Sequence, residues 1–214
     1  MAPARSMTRP HRREQILHAA IALFHDRGYH ATGMDDIGEA AGITGPAVYR
    51  HFRSKEDILE TAVRERGTAT LADVHQIVAG ASTPRDALET LARRYTETLL
   101  ADPALAAVAM YERRELGAGI RTEIDRMELR YIAEWLSALT SLRPGLDDVE
   151  ARVLLNAALG LGLSICNYKS GLDDELLGAW VTSMIVTLLT DGEPASAGAR
   201  SSPRRAARPP AQHR

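Results

Sequence analysis

Two groups of side chains in this 214-residue sequence have types and spacings that could do chemistry. The first is His11, His18 and His25, which repeat every seven residues along one predicted helix. Imidazole is the commonest protein ligand for zinc, so the repeat invites a metal reading. Seven residues span about 10.5 Å of helix, however, too far for neighbouring members to share one tetrahedral ion. The expectation is an exposed stripe, with His11 near a phosphate and no metal. The second group lies in Gly42-Ile43-Thr44-Gly45-Pro46-Ala47-Val48-Tyr49-Arg50-His51-Phe52-Arg53-Ser54-Lys55. Here a phenol, a guanidinium and an imidazole follow one another on a segment too short to bury much. These groups donate hydrogen bonds to phosphate oxygens and base edges.

Signatures of catalysis are missing. The sequence has no G-x-S-x-G, no G-x-x-x-x-G-K-[ST], no H-E-x-x-H and no cysteine cluster. The remaining histidines and carboxylates are scattered. No enzyme activity and no cofactor are expected.

The elements that must position the second group are helices. Ser54-Lys55-Glu56-Asp57 and Thr83-Pro84-Arg85-Asp86 resemble capping boxes, and Asp102-Pro103 repeats the cap-plus-proline pattern. Gly-Leu-Asp-Asp occurs at 145–148 and again at 171–174, placing carboxylates at two more helix starts. The predicted elements are Arg12–Arg27, Asp35–Ala41, Gly45–Phe52, Lys55–Ala79, Pro84–Ala101, Pro103–Leu116, Ile120–Leu139, Asp148–Tyr168 and Asp174–Leu189, with no convincing strand. The fold class is therefore all-α. Three short helices precede long ones, which divides the chain into a head at residues 10–54 and a bundle at 55–190. Residues 1–9 read as a disordered basic arm. Residues 191–214, rich in Pro, Ala, Ser and Arg, read as a disordered basic tail.

Charge follows that division. Residues 1–64 hold nine Lys/Arg against eight Asp/Glu and five of the seven histidines, residues 65–190 twelve against eighteen, and 191–214 five against two. The overall charge of −2 therefore does not speak against nucleic acid, because binding depends on local clustering. The single cysteine, Cys166, excludes an internal disulfide and suits a reducing compartment. The longest apolar run, near Ala157–Cys166, is shorter than a membrane span, and no apolar stretch follows the N-terminal arginines. A cytoplasmic protein without membrane contact is expected.

Asp35–Ala41, the turn Gly42-Ile43-Thr44 and Gly45–Phe52 have the layout of a helix-turn-helix. Thr44 stands where it can cap the second helix, and Pro46 occupies its first turn without losing a needed N–H. At 100° per residue Val48 and Phe52 face the core, whereas Pro46, Ala47, Tyr49, Arg50 and Arg53 project outward with His51 at the flank. Small residues at the helix start let the backbone approach base edges, and Lys55 opens the next helix, where backbone N–H groups can also receive a phosphate. Exposed Arg and Tyr also occur on short helices that bind nothing.

The stretch from Arg13 to Leu59 resembles the N-terminal DNA-binding domain of the tetracycline-repressor (TetR) family. The resemblance rests on Ala19-Ala20…Leu23-Phe24…Gly28-Tyr29, Ile37 with Ala41-Gly42, and Tyr49-x-His51-Phe52-x-Ser54-Lys55-Glu56. It implies that the helix at Gly45–Phe52 enters the major groove. Gly45, Pro46, Ala47 and Arg50 then lie at the base-reading surface, with Thr44 at its edge, while Tyr49, His51, Lys55 and Thr32 lie against phosphates. The sequence departs from the family pattern at Gly33, Asp35 and Gly38.

Wide apolar stripes mark the last two long helices. Val149, Val153, Leu154, Ala157, Ala158, Leu161 and Ile165 form one, interrupted by Asn156, with Gly160 and Gly162 allowing close approach. Leu176, Leu177, Trp180, Val181, Met184, Ile185 and Leu188 form the other. TetR-like proteins dimerise through such a pair, so the resemblance implies a homodimer on a palindromic double-stranded DNA operator. It also implies a small-molecule pocket in the bundle, for which Tyr95, Leu99, Met110, Arg113, Arg114, Tyr131, Trp135, Asn156 and Cys166 are candidates. GITGPAVYRHF, together with the later MYERREL, is similar to a subset of the family that responds to acyl-CoA thioesters. The function expected is a repressor released by a small hydrophobic or amphipathic effector. The alternative is an all-α small-molecule-binding module with a vestigial DNA head.

Overall fold

The computed structural model describes residues 9–167 and 170–191. These residues form α1 (Arg9–Arg27), α2 (Met34–Ala40), α3 (Gly45–Val48), α4 (Lys55–Gly80), α5 (Pro84–Ala101), α6 (Pro103–Tyr111), α7 (Ala118–Leu142), α8 (Asp148–Leu163) and α9 (Asp174–Thr190). Two 3-10 turns, Arg113–Glu115 and Ser164–Asn167, follow α6 and α8. No strand occurs among the described residues.

The helix starts are set locally. Ser54 accepts from Asp57 N at 3.3 Å, Thr83 from Asp86 N at 3.1 Å and Asp102 from Leu105 N at 3.0 Å. Both Gly-Leu-Asp-Asp copies cap a helix with their first aspartate. Asp147 exchanges bonds of 2.9 Å with Glu150, and Asp173 accepts from Leu176 N at 2.8 Å. Each such cap is worth about 1 kcal/mol. At the other end, Gly28 and Gly42 leave α1 and α2 with φ of 87° and 67°, a region that side-chain-bearing residues avoid.

Three predicted helices prove shorter than expected. The regular part of α3 ends at Val48, and tight turns carry the chain on through Phe52, Phe52 N still bonding Val48 O at 3.1 Å. The helix predicted to reach Leu116 ends at Tyr111 and continues as the first 3-10 turn. The helix predicted to reach Tyr168 ends at Leu163, and Tyr168 itself lies outside the described residues. The expected basic arm and tail, apart from Arg9 and Asp191, also lie outside them.

Two apolar cores form. The first gathers Ile16, Phe24, Tyr29, Ile37, Val48, Phe52 and Ile58 from the first four helices and the connections between them, and it also takes Leu105 and Val108 of α6 and Ile120 of α7. The second gathers Val74, Leu88, Leu91, Trp135, Leu139, Leu155, Ile185 and Leu189 from α4, α5, α7, α8 and α9. Helices α4 and α7 contribute to both.

The expectation that no segment reaches span length is corrected. The helical run Asp148–Cys166 is long and apolar enough to cross a membrane, by length and composition only. Its apolar residues are split between the second core, through Ala151, Leu155 and Ala158, and an uncovered face.

Candidate nucleic-acid interface

Helix α3 sits tightly on α2. A Cβ at Gly38 would come within 2.8 Å of Gly45 N and 2.9 Å of Thr44 C, so the two backbones touch where a side chain would hold them apart. Gly45 has a similar role toward a side chain, since a Cβ there would overlap the Asp35 carboxylate. Ile37, Val48 and Phe52 are fully buried beneath this contact and fix the rotation of α3. Pro46, Tyr49, Arg50 and Arg53 are consequently exposed, Tyr49 by 57%, with Ala47 and His51 half-buried at the flanks. The outward face is thus a small-residue helix start followed by a phenol and two guanidinium groups. That set can approach base edges and grip the flanking backbone. Thr44 occupies the N-cap position of α3, but its hydroxyl makes no capping bond.

Beside this face lies a surface hollow of about 610 Å³, walled by His30, Gly33, Met34, Tyr49, Ser54 and Lys55. The Lys55 ammonium points back across it into the protein. It donates to Tyr29 O at 2.9 Å and Thr32 O at 3.2 Å, with His30 O at 3.5 Å, and stands 4.4 Å from the Tyr29 ring centre. One cation thereby ties the start of α4 to the α1–α2 loop. Burial, helped by the nearby Glu56 carboxylate, holds the Tyr29 phenol well above its ordinary pKa. Glu56 in turn is held below the usual carboxylate range, chiefly by its hydrogen bond with Ser54. The starts of α2 and α4 satisfy their own backbones. Asp36 accepts from Gly33 N at 2.8 Å and Asp57 from Arg53 N at 2.9 Å.

In the bundle, Tyr95, Tyr131 and Trp135 form an aromatic group, with the Trp135 ring 6.2 Å from each tyrosine. Tyr95 donates to Leu159 O at 2.7 Å, and its ring occupies the space that a Cβ at Gly162 would take. The fully buried Trp135 N–H has no acceptor in hydrogen-bonding geometry among the described residues, although the Tyr131 hydroxyl lies near enough to interact with it. Tyr95 and Tyr131 also line a void of about 20 Å³, space for a single water.

The profile of "Bacterial regulatory proteins, tetR family" matches residues 16–62. The chain is 31% identical to the HTH-type transcriptional repressor KstR2 of Rhodococcus jostii over 77% of its own length and 72% of that protein. The chain belongs to the tetR family. Among solved structures, the ketosteroid transcriptional regulator KstR2 of Mycobacterium tuberculosis superposes with a TM-score of 0.71 at 24% identity, covering 86% of this chain and 95% of that one. FadR from Bacillus subtilis in complex with stearoyl-CoA superposes at 0.64 and 21% identity, covering 85% and 99%. The chain is accordingly a helix-turn-helix, DNA-binding regulator of transcription.

Within that tetR frame, several side chains stand away from the places the sequence suggests. Thr32 is buried and its hydroxyl donates to Gly28 O at 3.0 Å, closing the end of α1. Lys55 is engaged by carbonyls, as described, instead of projecting outward. Gly33, Asp36 and Asp57 were not among the candidates, yet they decide how the starts of α2 and α4 are satisfied; Gly-x-x-Asp and Arg-x-x-x-Asp carry that signal only once both helix starts are known. Asn156 is exposed on α8 and does not enter the bundle. Met110 is also exposed. Arg113 sits on the 3-10 turn, bonded to Glu128 at 2.9 Å and to Asp125, so it staples that turn to α7. Arg114 is exposed, whereas Leu99 is buried and Cys166 half-buried, where burial raises its thiol pKa. Gly160 meets nothing within 4 Å, unlike Gly162. Of the predicted ligand residues, the structure brings together Tyr95, Tyr131 and Trp135.

Proposed function

We propose that this protein is a homodimeric repressor that binds a palindromic operator and releases it when a small amphipathic molecule enters the bundle. The observation that carries the reading is the geometry of α3 and the turns that follow it, where buried Val48 and Phe52 force Pro46, Tyr49 and Arg50 outward as one face. Residues 10–54 act as the reading head and 55–190 as the effector and dimerisation part. Gly45, Pro46, Ala47 and Arg50 read bases, with Thr44 at their edge, and Tyr49 and His51 hold phosphates. A second copy of the chain covers the apolar face of α8 and α9, on which Val153 is 63% and Trp180 59% exposed in the single chain. Exposure of Asn156 on that face gives it a place in the dimer contact.

The effector occupies the region around Tyr95, Leu99, Tyr131 and Trp135. An acyl-CoA thioester is supported by the stearoyl-CoA that the similar FadR carries. Entry of the ligand displaces α4, which belongs to both cores, and thereby changes the separation of the two heads. Such a regulator works in the cytoplasm. Selection from a random DNA pool, paired with native mass spectrometry, tests the reading. An enriched inverted repeat bound by a dimer, and lost on adding palmitoyl-CoA, is the expected result. A monomer that enriches no sequence at moderate salt would leave the all-α ligand-binding module with a vestigial head.

A further inference from the structure

Helices α4 and α5 meet along a seam with an unusual charge pattern. On its outer side a groove of about 310 Å³ is walled by Gln76, Ile77, Thr90 and Arg93. On its inner side lies the void of about 20 Å³ bounded by Thr70, Val74, Leu91, Tyr95, Thr98 and Tyr131. Two residues, Asp73 and Arg94, border both spaces. They are joined to each other, with Arg94 Nη2 and Nε at 2.7 and 2.9 Å from the same Asp73 oxygen. The ion pair is thus the partition between the outer groove and the aromatic group.

That partition is built to be exchanged. Both side chains are about half exposed, so breaking the pair strands neither charge in an apolar medium. Beside the pair, guanidinium groups cluster. Arg93 and Arg94 share Glu97 at 3.9 and 3.8 Å, and Arg66, one turn beyond the void, donates to Thr98 O at 2.6 Å with no carboxylate within 4 Å among the described residues. Three guanidinium groups therefore face two carboxylates. A guanidinium released from Asp73 presents a fork that fits a carboxylate, sulfonate or phosphate.

We propose that the α4–α5 seam is the entrance for the effector and that the Asp73–Arg94 pair is its latch, which opens when Arg94 transfers from Asp73 to the anionic group of an amphipathic ligand whose apolar part advances onto Tyr95, Tyr131 and Trp135. This rests on the effector reading above and adds to it the route, the anion-recognising residue and the ligand polarity. The anion stays in the groove and the apolar part lies inside, which makes α4 the wall that moves.

The test uses Trp180→Phe protein, in which Trp135 is the remaining tryptophan. The probe is 1-anilinonaphthalene-8-sulfonate, an aromatic anion that accepts energy from tryptophan, and stopped flow follows the loss of Trp135 emission. Asp73→Asn, which frees Arg94, is expected to speed association about five-fold, the scale of an exposed ion pair. Arg94→Gln is expected to weaken binding of the sulfonate about ten-fold, as for loss of a charge-assisted bond. Its uncharged counterpart N-phenyl-1-naphthylamine should bind the Arg94→Gln protein as it binds the parent. Equal association rates in all three proteins, absence of Trp135 quenching, or equal loss of the charged and uncharged dyes in Arg94→Gln would each overturn the latch. Operator release by palmitoyl-CoA is measured on the same proteins. Release that ignores both substitutions overturns the latch while keeping the effector reading; latch-dependent dye entry without any release keeps the latch and removes the thioester.

Discussion

Replacing Lys55 with alanine separates two physical roles that one lysine could have. In the structure its ammonium bonds Tyr29 O at 2.9 Å and Thr32 O at 3.2 Å and lies 4.4 Å from the Tyr29 ring centre. A hydrogen bond to a charged group contributes about 1.5–3 kcal/mol when well shielded, and the side chain here is only half-buried, so about 1 kcal/mol for each is appropriate. The cation–ring contact adds about 0.5–1 kcal/mol. The expected loss is about 2–3 kcal/mol, equivalent to about 5–10 °C in melting temperature for a chain of this size. Operator affinity should fall as well, because the α1–α2 loop loses its tie to α4. The dependence of log K on log salt should keep its slope, since no phosphate contact has been removed. A lysine bound directly to phosphate would behave differently: its loss lowers the slope by about 0.9 for each protomer and leaves the melting temperature nearly unchanged. Calorimetry together with a salt titration of operator binding distinguishes them. An unchanged melting temperature with a shallower salt slope would refute the clamp.

Other substitutions probe the head and the assembly. Arg50→Ala should change the sequences recovered from a random DNA pool, whereas Tyr49→Ala should weaken binding to all of them alike; identical recovered sequences for Arg50→Ala and the parent would remove Arg50 from base reading. Gly38→Ala forces a Cβ against the backbone of Thr44 and Gly45, so it should cost about 1–3 kcal/mol of stability and displace α3, with operator affinity falling further than the melting point suggests. Gly45→Ala collides chiefly with the Asp35 side chain, the Asp35 Cα lying farther off at 3.2 Å. Pairing it with Asp35→Ala should therefore restore most of the lost stability, and a strictly additive double mutant would contradict that contact. Trp180→Glu places a charge on the apolar α8–α9 face and should yield monomers in native mass spectrometry with operator affinity reduced at least ten-fold; an intact dimer would move the interface elsewhere.

What the sequence determined by itself is everything governed by neighbours three or four residues apart. Ser54, Thr83, Asp102, Asp147 and Asp173 cap their helices because the N–H groups they satisfy lie on the same short segment. The inward turn of Val48 and Phe52, and with it the outward turn of Tyr49 and Arg50, follows from helical periodicity alone. Tertiary structure decided the fate of side chains whose partners are remote in the chain. Lys55 turns inward because three carbonyls 23 to 26 residues earlier converge on it. Asp73 and Arg94 become a partition only because α4 and α5 lie side by side, and Arg113 becomes a staple because α7 passes beside its 3-10 turn. Gly38 illustrates the boundary between the two. The sequence marks it as a departure from the family pattern, but only the approach of α3 to within 2.8 Å of an added Cβ explains why no side chain fits there. A local signal is legible because the chain itself sets the distance; a long-range one appears only when packing brings the two groups together.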